Sequence, residues 1–306
     1  MGGGTRYSEG ELGNESPQNI QLIMLYCGNL RKTKLRGKGK GDLMEYRSIL
    51  YKKESGKATI TLNRPRALNA LNREIIDELL HALREAAQDQ EVKVLILTGA
   101  GRAFCFGADI SEFTRQIEAG ISDAGLLLLE KVQEIIRLLA GTPKPVIAGI
   151  NGFATGLGLD LALACDLRIA AERAKLAEAF ISMGLVPDGG GTFLLPRLVG
   201  LAKAAAMIFT GDPLGAAEAE RIGLINRVVP TDELPKEIEI LADKLARSPS
   251  LALGLAKQAL WKNLQGTLES SLQVEAQSQK ACLASEDHRE AVKAFLEKRD
   301  PIFRGK

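Results

Sequence analysis

One stretch constrains this chain more than any other, residues 146–192: VIAGINGFATGLGLDLALACDLRIAAERAKLAEAFISMGLVPDGGGT. It opens with a short apolar strand, Val146 to Ile150, and turns at Asn151-Gly152. A second turn holds Gly156 and Gly158, residues that let two backbones approach with no Cβ between them. The apolar run Leu159 to Cys165 then fits a helix that starts at the turn. The segment closes on Pro187-Asp188 and the glycines 189–191. Apolar surroundings, close backbone approach and few acidic groups suit an active site.

The rest of the chain reads as support for that stretch. Its 306 residues suffice for one large domain or two smaller ones. A 45% hydrophobic, 25% charged composition is that of a globular protein with a sizeable core. A net charge of +2 gives no field for nucleic acid. Cys27, Cys105, Cys165 and Cys282 are scattered, without CxxC or a nearby His, so they suggest neither a metal site nor a disulfide framework. The free thiols fit a reducing cytoplasm, and the terminal Arg-Gly-Lys is not a peroxisomal tripeptide. His81 and His288 both sit in charged helical stretches outside the glycine-rich segment, which leaves a Ser-His-Asp site without its base. No apolar run approaches the roughly 20 residues of a membrane span.

Composition divides the chain into three parts. Residues 1–43 begin with glycines and carry the basic cluster Arg31, Lys32, Lys34, Arg36, Lys38 and Lys40. Glu9, Glu11 and Glu15 argue against a transit peptide, so this part reads as a flexible extension, with Met44 a natural start for the folded part. Residues 44–230 alternate strands with helices as a mixed α/β core. Its signals include a hairpin around Ser55-Gly56, a helix from about Arg73 to Ala87 capped by Asn72, and a strand from Val92 to Thr98 buried on both faces. Residues 231–306 fit helical periodicity throughout. A doubly wound sheet also satisfies this pattern, but no GxGxxG follows the first strand and no Walker lysine is present.

A helix that begins at Gly156-Leu157-Gly158 leaves its first N–H groups without intrahelical partners, a setting that favours negative charge. Asp160 and Asp188 flank it. Near an apolar wall an aspartate has a raised pKa and serves as a proton shuttle. The bland alternative is that Asp160 caps the helix and Asp188 sits in an ordinary Pro-Asp-Gly turn.

The segment resembles the crotonase (enoyl-CoA hydratase/isomerase) superfamily. Matching pieces lie in order: TLNRPRALNALN at 61–72, LTGAGRAFCFGADI at 97–110, residues 143–170, GLVPDGGGT at 184–192 and EKRDPIF at 297–303. The resemblance implies acyl-CoA thioester chemistry on an α/β, ClpP-like fold of repeated strand-strand-helix turns. It also implies a helical C-terminal region used for trimerisation, with trimers often pairing into hexamers. No cofactor is needed beyond the substrate's own CoA.

Carried over by position, the resemblance places an oxyanion hole at the backbone N–H groups of Ala108 and Leu157. The family usually has glycine at the latter place, so the leucine side chain must point away from the thioester. Arg66, Ala67, Leu68 and Ala70 resemble the CoA-binding loop, and Phe295 and Lys298 resemble C-terminal positions that meet CoA. Asp109 is expected to brace its own loop. Hydratases of the family use two glutamates to handle water. The first falls at Asp160 and the second at Phe180, a residue that can neither activate nor protonate anything. Glu178 lies two residues away, but AFISMGLVPDGGGT matches the isomerase pattern without a gap.

Phenylalanine at the second position and aspartate in GLVPD look most like phenylacetate-pathway enoyl-CoA isomerases. The expected reaction is therefore double-bond migration, with Asp188 moving the proton and Asp160 assisting. Phe180, Phe153 and Leu185 supply the apolar wall that raises Asp188. The alternatives are a hydratase in which Asp160 directs water, a nucleophilic Asp160, which lacks a partnering His, and a non-catalytic acyl-CoA-binding scaffold. The acyl group depends on the loop from about Glu112 to Leu126, which the sequence leaves unreadable.

Overall fold

The computed structural model describes residues 45–118 and 124–306. The 1–43 extension, the start expected at Met44 and part of the acyl-specificity loop lie outside the described residues. The strands β1 (Ile49–Glu54) and β2 (Lys57–Leu62) form an antiparallel hairpin. Ser55 and Gly56 join them with φ of 50° and 77°, the left-handed pair that a two-residue hairpin loop demands. Helix α1 (Arg73–Gln88) starts at the predicted cap, where the Asn72 side chain accepts a hydrogen bond from the Ile75 N–H at 3.0 Å. Its buried stripe includes Ile75, Ile76, Leu79 and Leu83.

From β3 onward one unit recurs: a strand in a large sheet, a short strand in a second sheet, then helix. The strand pairs are β3 (Val94–Gly99) with β4 (Ala103–Cys105), β5 (Val146–Ile150) with β6 (Phe153–Thr155), and β7 (Leu167–Ala171) with β8 (Lys175–Ala177). Helices α2 (Ile110–Glu118) and α3 (Ala124–Gly141) follow the first pair, and α4 (Leu157–Leu163) follows the second. After the third come a 3-10 turn (Ala179–Met183), α5 (Gly191–Val199) and α6 (Leu201–Thr210). Then β9 (Leu214–Gly215), α7 (Ala216–Arg221) and β10 (Arg227–Val229) lead into four helices: α8 (Leu234–Ala246), α9 (Ser250–Asn263), α10 (Leu268–Leu283) and α11 (Glu286–Glu297).

The large sheet has the order β1-β2-β3-β5-β7-β10, parallel except for the first hairpin. The small sheet has the order β4-β6-β8-β9, parallel except at β9. Strand β3 is covered on both sides, as its unbroken apolar run predicts. Leu95 and Leu97 face the main core with Leu62, Leu79 and Phe104. Val94 and Ile96 face a second cluster that includes Ile147, Ile169 and Ile238. Ile238 belongs to α8, so a helix of the 231–306 region completes the packing of the large sheet.

The small sheet positions the site. Strands β4, β6 and β8 run parallel and adjacent, so the residues leaving their C-terminal ends emerge along one edge. Those residues are Phe106 to Asp109, Gly156-Leu157 and Glu178. Stretches far apart in the sequence thereby meet.

Candidate active site

Two backbone N–H groups are left open on this edge. Leu71 and Ala108 form an isolated parallel bridge in which the Leu71 N–H donates to Gly107 O at 2.7 Å and the Asp109 N–H donates to Leu71 O at 3.0 Å. In a parallel bridge the central residue's own N–H points the other way. The Ala108 N–H accordingly meets no backbone acceptor among the described residues. Leu157 is the first residue of α4, and its N–H is likewise without a backbone partner. A Cβ added to Gly107 would stand 3.7 Å from the Leu157 nitrogen, so the two turns lie against each other. Gly158 makes that approach possible, because a Cβ there would fall 2.1 Å from Cys105 O.

A buried side chain that sequence reasoning passed over fixes the first turn. Asn69 is fully buried, and its Nδ2 donates to Ala100 O at 3.0 Å and Ala103 O at 2.8 Å. Its Oδ1 accepts from the Arg64 N–H at 2.9 Å. Leu68 and Asn69 adopt φ of 51° and 57°, and the Phe106 N–H donates to Leu68 O at 3.1 Å. Asn tolerates the left-handed region better than most residues, which is the one signal the sequence carried. Asp109 braces the loop as expected. It accepts from Arg64 at 3.0 Å and from the Ser111 hydroxyl at 2.6 Å. Burial works to raise its carboxyl, but the Ser111 and Arg64 hydrogen bonds outweigh it and hold the group below the usual range.

Beside the second turn stand three carboxyls, not two. Asp160, on α4, is fully buried, and its Oδ2 accepts from the Gly189 N–H at 3.1 Å. Asp188 is partly buried, with one oxygen that receives no hydrogen bond, and burial raises its pKa. Glu178, which the spacing in the sequence sets aside, is fully buried immediately after β8. Its carboxyl lies on the same side of Gly191 as that of Asp160, where an added Cβ would stand 2.5 Å from Asp160 Oδ1 and 3.0 Å from Glu178 Oε1. Burial first, then the Asp160 charge, pushes it up to about 9. Burial likewise raises Asp160, to about 7.

The three residues expected to form an apolar wall stand in different settings. Phe180 is buried and packs toward Gly156, where an added Cβ would lie 3.6 Å from its ring. The Leu185 N–H donates to Phe180 O at 3.1 Å, but the Leu185 side chain is exposed. Phe153 is also exposed and packs edge to face on Phe106, with ring centres 5.8 Å apart. Leu157 adds a wall that the sequence did not advertise. It is buried, and its Cδ2 lies 2.9 Å from where a Cβ of Gly189 would stand, so its side chain covers the loop that carries Asp188.

Of the positions resembling a CoA-binding surface, Arg66 is exposed on a 3-10 turn (Pro65–Ala67), with Ala67, Leu68 and Ala70 half-buried beside it. Phe295 is exposed near the end of α11, and Lys298 caps that helix with φ 53°. His81 hydrogen-bonds to the Tyr46 hydroxyl at 2.8 Å, on the helix α1 side of the hairpin.

The arrangement pairs open N–H donors with acids in an apolar setting. The sequence model of the enoyl-CoA hydratase/isomerase family matches residues 52–306. The chain belongs to this family, the crotonase superfamily. It is 41% identical over 264 residues to the 1,2-epoxyphenylacetyl-CoA isomerase of Escherichia coli, covering 86% of this chain and all of that one. It is 39% identical over 261 residues to the crotonyl-CoA hydratase of Syntrophomonas wolfei, covering 85% of this chain and 99% of that one. The crystal structure of an enoyl-CoA hydratase from Bacillus anthracis superposes with a TM-score of 0.79 at 35% identity, over 85% of this chain and 100% of that one. The crotonase α/β fold is thus shared, while the relatives' reactions include both isomerisation and hydration.

Proposed function

We propose that this family member shifts the double bond of an enoyl-CoA thioester, with Asp188 as the proton shuttle. The observation that carries the reading is the division of labour among the acids. Asp160 and Glu178 are fully buried, and Asp160 accepts from the Gly189 N–H, whereas Asp188 is only partly buried and keeps one oxygen without a hydrogen-bond partner, so of the three it is the one a substrate can reach. A base must have a free lone pair to act. Phe180 at the position of the second hydratase acid supports the same reading.

The thioester carbonyl enters the hole formed by the Ala108 and Leu157 N–H groups. Asp188 takes a proton from the acyl chain, and the electron pair moves onto the thioester oxygen as an enolate. The two N–H groups stabilise that charge in a site poor in water. Asp188 then returns the proton at another carbon, and the double bond has moved with no gain or loss of atoms. CoA binds through the Arg66 to Ala70 turn, and the enzyme needs no cofactor. Phe295, exposed near the end of α11, and Lys298, which caps that helix, serve CoA across a subunit boundary in a homotrimer or hexamer.

One observation favours a second reading. Asp160 and Glu178 form a carboxyl pair, and a hydratase needs two such groups around its water. The two readings separate on incubation with a 3-enoyl-CoA and, in parallel, a 2-enoyl-CoA in deuterated water. Isomerisation gives the 2-enoyl thioester with no mass of added water, and Asp188→Asn lowers the rate by about a thousandfold. Water addition to the 2-enoyl substrate that survives Asp188→Asn and dies with Asp160→Asn rejects the isomerase.

A further inference from the structure

We propose that Glu178 is a positioning residue whose carboxylic proton, shared with Asp160, locks the clamp between Asp160 and the Gly189 N–H and thereby sets the loop that carries Asp188. The inference rests on the isomerase reading only for the role it gives Asp188.

The geometry leaves Glu178 no other partner. Its side chain is fully buried, and neither carboxyl oxygen receives a hydrogen bond from an N–H or hydroxyl of the described residues. Asp160 Oδ1 is in the same condition. Buried carboxylates without donors are strongly disfavoured. One proton between the two carboxyls satisfies both, and in this proposal it sits on Glu178 as donor to Asp160. Position 191 is glycine for this reason. A Cβ there would lie 2.5 Å from Asp160 Oδ1 and 3.0 Å from Glu178 Oε1, at the point where the two side chains meet.

The clamp continues on the other side of Asp160. Oδ2 holds the Gly189 N–H, one residue beyond Asp188. Gln133 of α3 holds the loop from the opposite side through Asp188 O at 3.4 Å. The Glu178 proton therefore has a structural path to Asp188: Glu178 to Asp160, Asp160 to Gly189, Gly189 to its neighbour. The charged groups that face Glu178 are Asp160 from α4 and Asp188 from the loop, and among the described residues no lysine or arginine acts on any of the three. Loss of the Glu178 proton leaves adjacent buried anions with nothing to offset them, and the clamp opens.

Infrared spectra of the substrate-free protein at pH 7 test the shared proton without reference to any reaction. In protein labelled with 13C at the glutamate carboxyls, the isotope-shifted C=O stretch of a protonated glutamic acid is expected in the wild type and lost in Glu178→Gln. The kinetic test uses whichever enoyl-CoA the wild type turns over. Glu178→Gln still offers Asp160 a donor, so it retains kcat at pH 7 within about threefold, and the alkaline fall of the pH profile moves upward. Glu178→Leu removes the donor and lowers kcat about tenfold with KM little changed. A protonated glutamic acid band that persists in Glu178→Gln, or a Glu178→Leu enzyme as fast as the wild type, overturns the proposal. A wild type that only hydrates, with the Glu178 band in place, rejects the isomerase and leaves the positioning role standing.

Discussion

At Ala108 and Leu157 the site consists of main-chain N–H groups, and packing holds them. Gly158 seats one turn against Cys105, and buried Asn69 ties the other to the carbonyls of residues 100 and 103. At Asp160, Glu178 and Asp188 the site consists of side chains, held by N–H groups of the loop that follows Pro187 and by the proton proposed for Glu178. Both halves lie on the same edge of the small sheet. The first is fixed by steric fit, and its bracing carboxyl, Asp109, is held below the usual range and stays ionised through neutrality. The second is fixed by electrostatics in a buried setting, so its geometry depends on pH. A stationary charge-stabilising device and a mobile proton-carrying device need these different kinds of support.

The largest effect is expected where the fit is tightest. Gly158→Ala puts a Cβ 2.1 Å from Cys105 O, a backbone atom that cannot step aside alone. The turns must separate, and losing one N–H of the proposed hole costs roughly a hundredfold or more in kcat. Steady-state kinetics on the soluble variant, with circular dichroism as a check on folding, measures this. A variant that folds and turns over like the wild type breaks the claim that packing sets this half.

Asn69→Ala comes next. It strips donors from buried carbonyls and a buried acceptor from the Arg64 N–H. The expected loss is about 3 kcal/mol of stability, or a fall in Tm of about 2–4 °C per kcal/mol for a chain of this size. The loss should be the same at pH 6 and pH 9, because nothing in this network titrates there. A loss that grows with pH would couple the two halves.

The carboxyl half should behave in the opposite way. Folding raises Glu178 from 4.5 to about 9, so the folded state favours its protonated form. The resulting penalty is absent below about pH 4.5, grows as pH rises through neutrality, and levels off above about pH 9. Glu178→Gln removes it. The variant should melt with the wild type at pH 5 and a few degrees above it at pH 9. Equal melting temperatures at both pH values would mean that Glu178 has no raised pKa in the fold.

The contrast between the halves also marks what was legible in the sequence. Local signals read well: the Ser55-Gly56 hairpin, the Asn72 cap, the buried stripe of α1 and the two-faced strand β3. The small sheet did not follow from periodicity, because three-residue strands such as β4, β6 and β8 are too short to show an alternation. It entered only through the family resemblance. The same resemblance supplied Ala108, Leu157, Asp160 and Asp188, which stand in recognisable motifs. It set Glu178 aside because motif spacing compares one position with one position. Strand register decides otherwise: Thr155 pairs with Ala177, so the residue after β8 lies beside the turn after β6. Asn69 was hidden for a related reason, since its partners lie more than 30 residues away.

The smallest effect sharpens the comparison from the packing side. Arg64 touches both loops at the first turn, with one nitrogen 2.6 Å from Ala70 O and the other 3.0 Å from Asp109 Oδ2. Its ion pair with Asp109 is partly exposed. Such pairs contribute about 0–1 kcal/mol and weaken with salt. If packing holds the turn, Arg64→Met lowers Tm by no more than about 3 °C. Raising the ionic strength should then shrink the gap from the wild type. A tenfold fall in kcat with Tm unchanged would instead mean that a charged brace aims the Ala108 N–H. The backbone half would then rely on electrostatics as the carboxyl half does, and the distinction between them would reduce to one of degree.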